Sequence, residues 1–204
     1  MKIEQAIEEL RKNEKRKFEQ GIDLIINLRK FDIRKNTINI FVNLPHKIRE
    51  KKICGFIESK TNLIDTIPKA AFVNYKEKKD LKKLVKKYDF FISSAANMPS
   101  VATAFGRILG PAGKMPSPKL GIITNESDKD ISSVIERINA VTRIQTKEPS
   151  IKILIGKEKM KDSDLIDNVK SVYNTVLNEL PNKNDNIKSV MIKLTMSKPI
   201  KIEF

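Results

Sequence analysis

The residues best suited to chemistry lie in one short segment, residues 105–121, with the sequence FGRILGPAGKMPSPKLG. Its 17 residues include four glycines, three prolines and three cations, and they include no acid. Glycine and proline fix loop conformations that can present backbone amides, and unopposed cations favour an anionic ligand. The segment is predicted to be either an anion site or a stiff surface connection. The residues that would serve an anion site are Arg107, Gly110, Gly113, Lys114 and Lys119.

The Gly113-Lys114 pair can be compared with the phosphate loop of nucleotide hydrolases. That loop needs a glycine five positions before its Gly-Lys pair and a Ser or Thr directly after it. Here those positions hold Ile108 and Met115. No GxGxxG motif follows a predicted strand either, so a dinucleotide fingerprint is missing. We therefore expect neither nucleotide hydrolysis nor a nucleotide cofactor.

The sequence offers little for catalysis or metal binding. His46 and Cys54 are the single histidine and the single cysteine, which excludes a Cys/His zinc site within one chain. Cys54 lies in the apolar run KKICGFIE, so we expect a buried structural thiol there. We expect no metal, no cofactor and no enzymatic activity. A basic nucleic-acid-processing enzyme is the disfavoured alternative.

The charge of the chain predicts a polyanionic partner. Forty basic against 25 acidic residues give a net charge of +15 and a pI near 9.8. Each phosphate that such a surface neutralises releases condensed counterions. A membrane surface is the rival partner, but no apolar run approaches the roughly 18 residues of a spanning helix, and MKIEQAIEELRK mixes acids with bases. We expect a soluble intracellular protein.

Three further basic segments have a structural as well as a functional interpretation. The cluster 76–87 holds seven lysines and two acids, typical of the solvated face of an amphipathic helix and less so of a phosphate-facing patch. Residues 16–20 place cations beside an aromatic ring before a predicted strand. Residues 194–198 join a hydroxyl, a thioether and a cation at a strand end. The last two could contact sugar edges and phosphates, although core packing with surface charge is the commoner arrangement.

Two kinds of pattern alternate along the chain. The outer parts combine helical periodicity with strands that alternate every second residue. The predicted helices there are 4–15 and 164–180, and the predicted strands are 22–28, 38–44, 151–155 and 190–196. The strands at 22–28 and 38–44 are neighbours in sequence and half-buried in pattern, which suggests an antiparallel pair.

The middle part instead has short apolar runs between helices. The runs are KKICGFIE, AFVNY and DFFISS, and the helices are 77–88 and 128–140. Strands that alternate with helices predict a parallel sheet with helices on both faces. The predicted fold is thus a split α+β domain, residues 1–45 and 150–204, with an inserted α/β three-layer (Rossmann-like) domain at 46–149.

The segment 108–119 closely resembles the signature ILGPxGxMPxPK of ribosomal protein one of the large subunit, the universal stalk protein family, with Ala112 in place of the usual Arg. Further stretches resemble the family in the same order, and they cover essentially the whole chain. These are RKFEQGIDLIINLRKFDIRK, NLPH, IGKEKMKDSDLIDNV and KLTMSKPIKI. The resemblance is greatest to the archaeal branch.

The resemblance implies a non-catalytic protein that binds large-subunit rRNA and forms the mobile stalk beside the exit-tRNA site. It also implies translational repression through the protein's own mRNA, and contact with exit-site tRNA. We expect a cytoplasmic, ribosome-associated protein that is monomeric off the ribosome. The family's principal rRNA contacts correspond to Lys17, Phe18, Thr195 and Met196, with Lys157 as a weaker correspondence. The glycine–proline segment then becomes a secondary basic loop.

The chain departs from the family pattern at two candidate positions. Ser197 stands where a glycine is usual, and its Cβ would cost about 1 kcal/mol if a positive φ were required there. Gly21 stands where a hydroxyl residue is usual, so one hydrogen bond is expected to be missing. Ser197 is nevertheless included among the candidate rRNA-binding residues.

Overall fold

The computed structural model describes residues 1–13, 16–33, 36, 38–75, 77–146 and 148–204. This part of the chain forms a mixed α/β structure with three sheets. The α-helices are α1 Ile3–Arg11, α2 Lys78–Lys87, α3 Met98–Ala112, α4 Asp128–Ala140 and α5 Asp162–Glu179. The first five strands are β1 Gly21–Leu28, β2 Asn39–Asn43, β3 Ile53–Phe56, β4 Asp65–Thr66 and β5 Phe90–Ser94. The others are β6 Ile122–Ile123, β7 Val141–Gln145, β8 Ser150–Lys157, β9 Ile187–Leu194 and β10 Ile200–Ile202.

The chain divides into two compact units. The first unit comprises Met1–Ile48 together with Ala140–Phe204, and the second comprises Arg49–Asn139. The sequence pattern placed the corresponding boundaries at 45/46 and 149/150. The second boundary differs by ten residues because β7, which the pattern assigned to the middle part, pairs with β2 of the first unit.

The first unit contains a four-stranded antiparallel sheet in the order β10-β9-β1-β8. Strand β1 alternates between half-buried and buried residues along its whole length, which confirms the strand that the alternation predicted. Its buried residues Ile22, Leu24 and Ile26 share one core with α1 and α5. The apolar stripe of α5 likewise confirms the predicted helix. Alternate side chains of a strand face opposite sides of a sheet, so the helices cover one face only.

The predicted pairing of the strands at 22–28 and 38–44 is wrong. Strand β2 pairs with β7, whereas β1 lies between β8 and β9. Alternation specifies which face of a strand is buried but not which strand lies beside it. The eight-residue β1 is matched by two partners of the same length, and the five-residue β2 by a five-residue partner.

The second unit contains a parallel sheet in the order β4-β3-β5-β6. On one face, Phe56 and Phe91 stack with ring centroids 5.6 Å apart in a core that includes residues of α2 and α3. On the other face, Ile53 and Ile92 pack with Ile131 of α4. The helices at 77–88 and 128–140 are thereby confirmed.

Two segments of the second unit differ from the sequence prediction. The run AFVNY lies in a 3₁₀ helix, Lys69–Tyr75, and is not a strand. Residues 105–112, predicted as part of a loop, form the last turns of α3. Val101, Phe105 and Leu109 recur every four residues and are fully buried. This packing overrides the low helix propensity of the glycines.

Candidate nucleic-acid interface

One end of the antiparallel sheet gathers residues from three distant parts of the chain. Gly21 at the start of β1 lies opposite Lys157 at the end of β8, and Ile22 lies opposite Leu194 at the end of β9. The residues before β1 and after β9 therefore meet. We call the set Lys17, Phe18, Lys157, Thr195, Met196 and Ser197 the sheet-end cluster. All of its members belong to the first unit.

The Thr195 hydroxyl ties the turn after β9 to the start of β1. Its Oγ1 accepts a hydrogen bond from the Gly21 amide at 3.0 Å and donates one to the Gly21 carbonyl at 3.2 Å. The Thr195 amide donates to the same carbonyl at 3.0 Å. A Cβ on Gly21 would lie 2.6 Å from Leu154 Cδ1, so Leu154 fills the space that a larger residue would need.

Ser197 closes the turn with its side chain. The Leu194 amide donates to Ser197 Oγ at 2.9 Å, and the Ser197 amide donates to the Leu194 carbonyl at 3.1 Å. Ser197 does not have a positive φ. The strain considered for a Cβ at this position therefore does not arise, and the hydroxyl adds a hydrogen bond that glycine could not make.

Gln20 joins the two sides of the cluster, and sequence reasoning assigned it no role. It is 2% exposed, and its Oε1 accepts a hydrogen bond from the Met196 amide at 3.2 Å. Its own amide donates to Glu158 Oε2 at 3.4 Å, and its carbonyl accepts from the Glu158 amide at 2.9 Å. The sequence did indicate that Gln20 is buried, because residue 20 continues the every-second-residue alternation of the buried Ile22 and Leu24. A polar residue at an inward-facing position predicts a buried hydrogen-bonding group.

Two large apolar side chains of the cluster lie in solvent. Phe18 is 51% exposed and Met196 is 63% exposed. Phe18 borders a groove of about 490 Å³ whose other lining residues are all charged. The full lining is Arg11, Arg16, Lys17, Phe18, Glu19, Glu158 and Lys159. The groove thus places one exposed aromatic ring among charged side chains.

The two lysines of the cluster differ in their ion pairing. Lys157 Nζ lies 3.0 Å from Glu19 Oε2, so its charge is partly neutralised. Lys17 is exposed and has no ion pair within the part of the chain that the structure describes. Of these two lysines, Lys17 therefore retains the charge that no described carboxylate neutralises.

Arg11 fixes the turn between β8 and α5. Its Nη1 and Nη2 donate to the carbonyls of Glu158 at 2.9 Å and Met160 at 2.6 Å. Its Nε donates to Asp162 Oδ1 at 2.7 Å. Because the guanidinium is occupied by these bonds, Arg11 holds the wall of the groove in place.

One carboxylate near the cluster has a perturbed pKa. Asp23 lies opposite Lys193 in the β1–β9 register. Burial raises the pKa of Asp23, and the Lys193 ammonium opposes that shift.

The glycine–proline segment belongs to the second unit. Gly113 ends α3 in the left-handed conformation, at φ 68°. The amides of Gly113 and Lys114 donate to the carbonyls of Gly110 and Leu109, each at 2.9 Å, which forms a Schellman motif. Gly113 is therefore required by the end of the helix.

Lys114 does not present a free cation. Its Nζ donates to the carbonyls of Val85 at 2.8 Å and Tyr88 at 2.7 Å. These carbonyls lie at the C-terminal end of α2, where a cation is favourable. Arg107 and Lys119 are exposed, so two of the three cations of the segment remain accessible.

Replacing Lys114 with methionine should lower the free energy of unfolding by about 1–2 kcal/mol, because two carbonyls at the end of α2 lose a charged donor. Urea denaturation measures this change. The matched control is Lys119→Met, which removes an exposed ammonium from the same segment and should change stability by less than about 0.5 kcal/mol. Equal effects of the two substitutions would contradict the capping role.

His46 and Cys54 do not form a catalytic pair. His46 Nε2 lies 3.4 Å from Asp167 Oδ2 at the surface of the first unit. Cys54 is free and fully buried in the second unit, and burial raises its pKa to about 12. The predicted buried thiol is thereby confirmed. Among the described residues, no group of three or more His, Cys, Asp or Glu could hold a metal ion. Those residues also include no helix that is long and apolar enough to cross a membrane.

Comparison with known families decides the affiliation of the chain. The model of the ribosomal protein L1p/L10e family matches residues 10–198. The chain belongs to this family. The match spans both units, and it includes every member of the sheet-end cluster.

Curated members of the L1p/L10e family are similar over almost their whole length. The large ribosomal subunit protein uL1 of Pyrococcus horikoshii is 32% identical, covering 99% of this chain and 95% of its own. The protein of the same name from Thermococcus kodakarensis is 33% identical, covering 99% and 97%. That of Methanocaldococcus jannaschii is 33% identical, covering 98% and 94%. All three organisms are archaea, as the sequence resemblance indicated.

Membership of the L1p/L10e family also decides the question of catalysis. The family consists of structural ribosomal proteins, and the chain is accordingly not an enzyme. The alternative of a nucleic-acid-processing enzyme is excluded by this affiliation.

Proposed function

We propose that this protein is a structural component of the large ribosomal subunit that binds large-subunit rRNA through its sheet-end cluster. Its relatives are named as large ribosomal subunit proteins. The observation that carries the proposal is the exposure of Phe18 and Met196 beside Lys17 at the junction of three chain segments. The protein is accordingly cytoplasmic and ribosome-associated.

The chemistry of the cluster fits folded RNA. A-form RNA hides its base edges in a deep, narrow major groove, so proteins recognise its shape, its 2′-hydroxyls and its phosphates. Lys17 supplies an ion for a phosphate, while Phe18 and Met196 supply apolar area against a sugar or an unstacked base. The turn of Thr195 to Ser197 is held by internal hydrogen bonds and thus offers a preformed surface.

The functional division of the chain follows from the position of the cluster. We assign rRNA recognition to the split unit, and we assign to Arg49–Asn139 the role of an inserted, secondary arm. The family resemblance supports a place in the mobile stalk near exit-site tRNA. It also supports repression of translation through the protein's own mRNA, which would occupy the same surface as rRNA.

The test is a binding assay of the full chain with a large-subunit stalk rRNA fragment and with an unrelated RNA duplex of equal length, between about 50 and 200 mM salt. We expect the stalk fragment to bind at least about 100-fold more tightly, which corresponds to about 2.8 kcal/mol. Equal affinities for the two RNAs would refute specific rRNA recognition. Crosslinking from cells would identify the mRNA and tRNA partners.

A further inference from the structure

Helix α2 of the second unit presents a single face of lysines. Lys79, Lys82, Lys83 and Lys86 are all exposed and follow the spacing i, i+3, i+4 and i+7. We call these four residues the lysine stripe. At 1.5 Å per residue, the stripe extends about 10 Å along one side of the helix.

Helix α2 carries most of the net positive charge of its unit. Residues 49–139 contain 17 basic and 10 acidic residues, a net charge of +7. The ten residues of α2 alone contain six lysines and one aspartate, a net charge of +5. Charge that only served solubility would be interspersed with acids across the surface, but here it is concentrated on one helix.

Among the residues that the structure describes, one of the four lysines of the stripe is neutralised by an acid. Lys83 pairs with Asp80 at 3.2 Å, and Lys87, beside the stripe, pairs with Asp65 at 3.4 Å. Lys79, Lys82 and Lys86 have no ion pair among the residues that the structure describes. Like charges three and four positions apart on a helix repel one another, so a polyanion would relieve a repulsion that the free protein contains.

The stripe does not suit a membrane. A helix that binds a membrane surface inserts an apolar face between lipids. The apolar residues of α2, among them Leu81 and Leu84, are instead buried in the core of the unit. Protein interfaces fit poorly as well, because lysine is depleted there and aromatic residues and arginine are enriched.

We propose that the lysine stripe of α2 is a second, sequence-independent contact for the phosphate backbone of RNA. Lysine provides a point charge without the planar fork with which arginine recognises particular groups, so the stripe adds affinity without sequence information. The inference rests on the proposed function and deepens it, because it gives the second unit a contact of its own with large-subunit rRNA.

The experiment compares two triple variants of the full chain. The first, Lys79→Gln/Lys82→Gln/Lys86→Gln, removes the three unpaired cations of the stripe. The control, Lys60→Gln/Lys69→Gln/Lys129→Gln, removes the same charge from scattered exposed positions of the same unit. All six positions are exposed, and substitutions at exposed positions change stability little, so both variants should fold, which circular dichroism verifies.

The readout is the slope of log K against log[salt] for the stalk rRNA fragment and for an unrelated RNA duplex. The stripe variant should reduce the magnitude of the slope by about 2–3 with either RNA, because each phosphate that is no longer neutralised reduces it by ~0.7–0.9. The control should reduce it by less than about 0.5. Unchanged slopes in both variants, or equal reductions in both, would overturn the proposal. Tighter binding of the wild-type protein to polyglutamate than to RNA would overturn it as well.

The two RNAs separate this inference from the proposed function. Suppose that the stripe variant shows a reduced salt slope on the unrelated duplex, while the wild-type protein binds stalk rRNA no more tightly than that duplex. The phosphate contact by the lysine stripe is then supported, and specific rRNA recognition is refuted. If the wild-type protein prefers stalk rRNA but the stripe variant shows unchanged salt slopes, specific rRNA recognition is supported. The phosphate contact by the lysine stripe is then refuted.

Discussion

Replacing Thr195 with valine should weaken binding to the stalk rRNA fragment about tenfold, with the salt slope unchanged. Valine preserves the shape of the side chain but removes both hydrogen bonds of the hydroxyl to the Gly21 backbone. These bonds lie within the protein, so their loss affects RNA binding through the position of the turn, and the expected tenfold change in Kd corresponds to about 1.4 kcal/mol. No charge changes, so the number of released counterions stays the same.

Met196→Ala should have a comparable effect, because it removes exposed apolar area that would pack against RNA. Thr175→Val is the matched control, because the Thr175 hydroxyl bonds within α5 to the Ser171 carbonyl at 2.8 Å. The control should leave rRNA affinity within about twofold. The sheet-end assignment would be wrong if Thr195 and Met196 variants bound normally while substitutions in 110–119 abolished binding.

Gln20→Met should lower rRNA affinity about tenfold or more, although Gln20 is buried and cannot touch RNA itself. Methionine keeps the volume of the side chain but removes the acceptor of the Met196 amide. A buried donor that loses its acceptor costs about 1–3 kcal/mol, and the turn can escape that cost only by moving. The movement would displace Met196 and Thr195 from the positions in which we propose that they contact RNA.

Two measurements separate positioning from general stability. Urea denaturation should show a loss of about 1 kcal/mol, which leaves the protein folded under binding conditions. The control Gln145→Met, at an exposed position of β7, should change neither stability nor affinity. A Gln20 variant that loses stability but binds rRNA normally would show that Gln20 supports the fold alone.

Helices and strands could be predicted well from the sequence, whereas the pairing of the strands could not. The alternation of β1 and the apolar stripe of α5 are local patterns, so each could be recognised within its own segment. The partner of β2 could not be recognised in this way. Strand β7 lies about a hundred residues later, and its local pattern does not show that it pairs with β2. The boundary of the second unit shifted for the same reason, since the pairing of β7 decides to which unit it belongs.

Prediction of the candidate site from the sequence was limited in a similar way. Family resemblance indicated Lys17, Phe18, Thr195 and Met196, and antiparallel pairing places these residues at one end of the sheet. Gln20 was overlooked although its phase in the strand pattern implied burial. Lys114 could not have been interpreted correctly from sequence. Its two carbonyl partners lie 26 and 29 residues away and carry no side-chain signal.

The position of β1 has a consequence for synthesis on the ribosome. Its two neighbours, β8 and β9, both follow the second unit in the chain. At 5–20 residues per second, roughly ten seconds pass between the emergence of β1 and that of β8. During this interval the continuous segment Arg49–Asn139 can fold, because its own core is complete. The apolar side of β1 meanwhile has no sheet to join, so it stays uncovered by its strand neighbours until β8 and β9 have been synthesised.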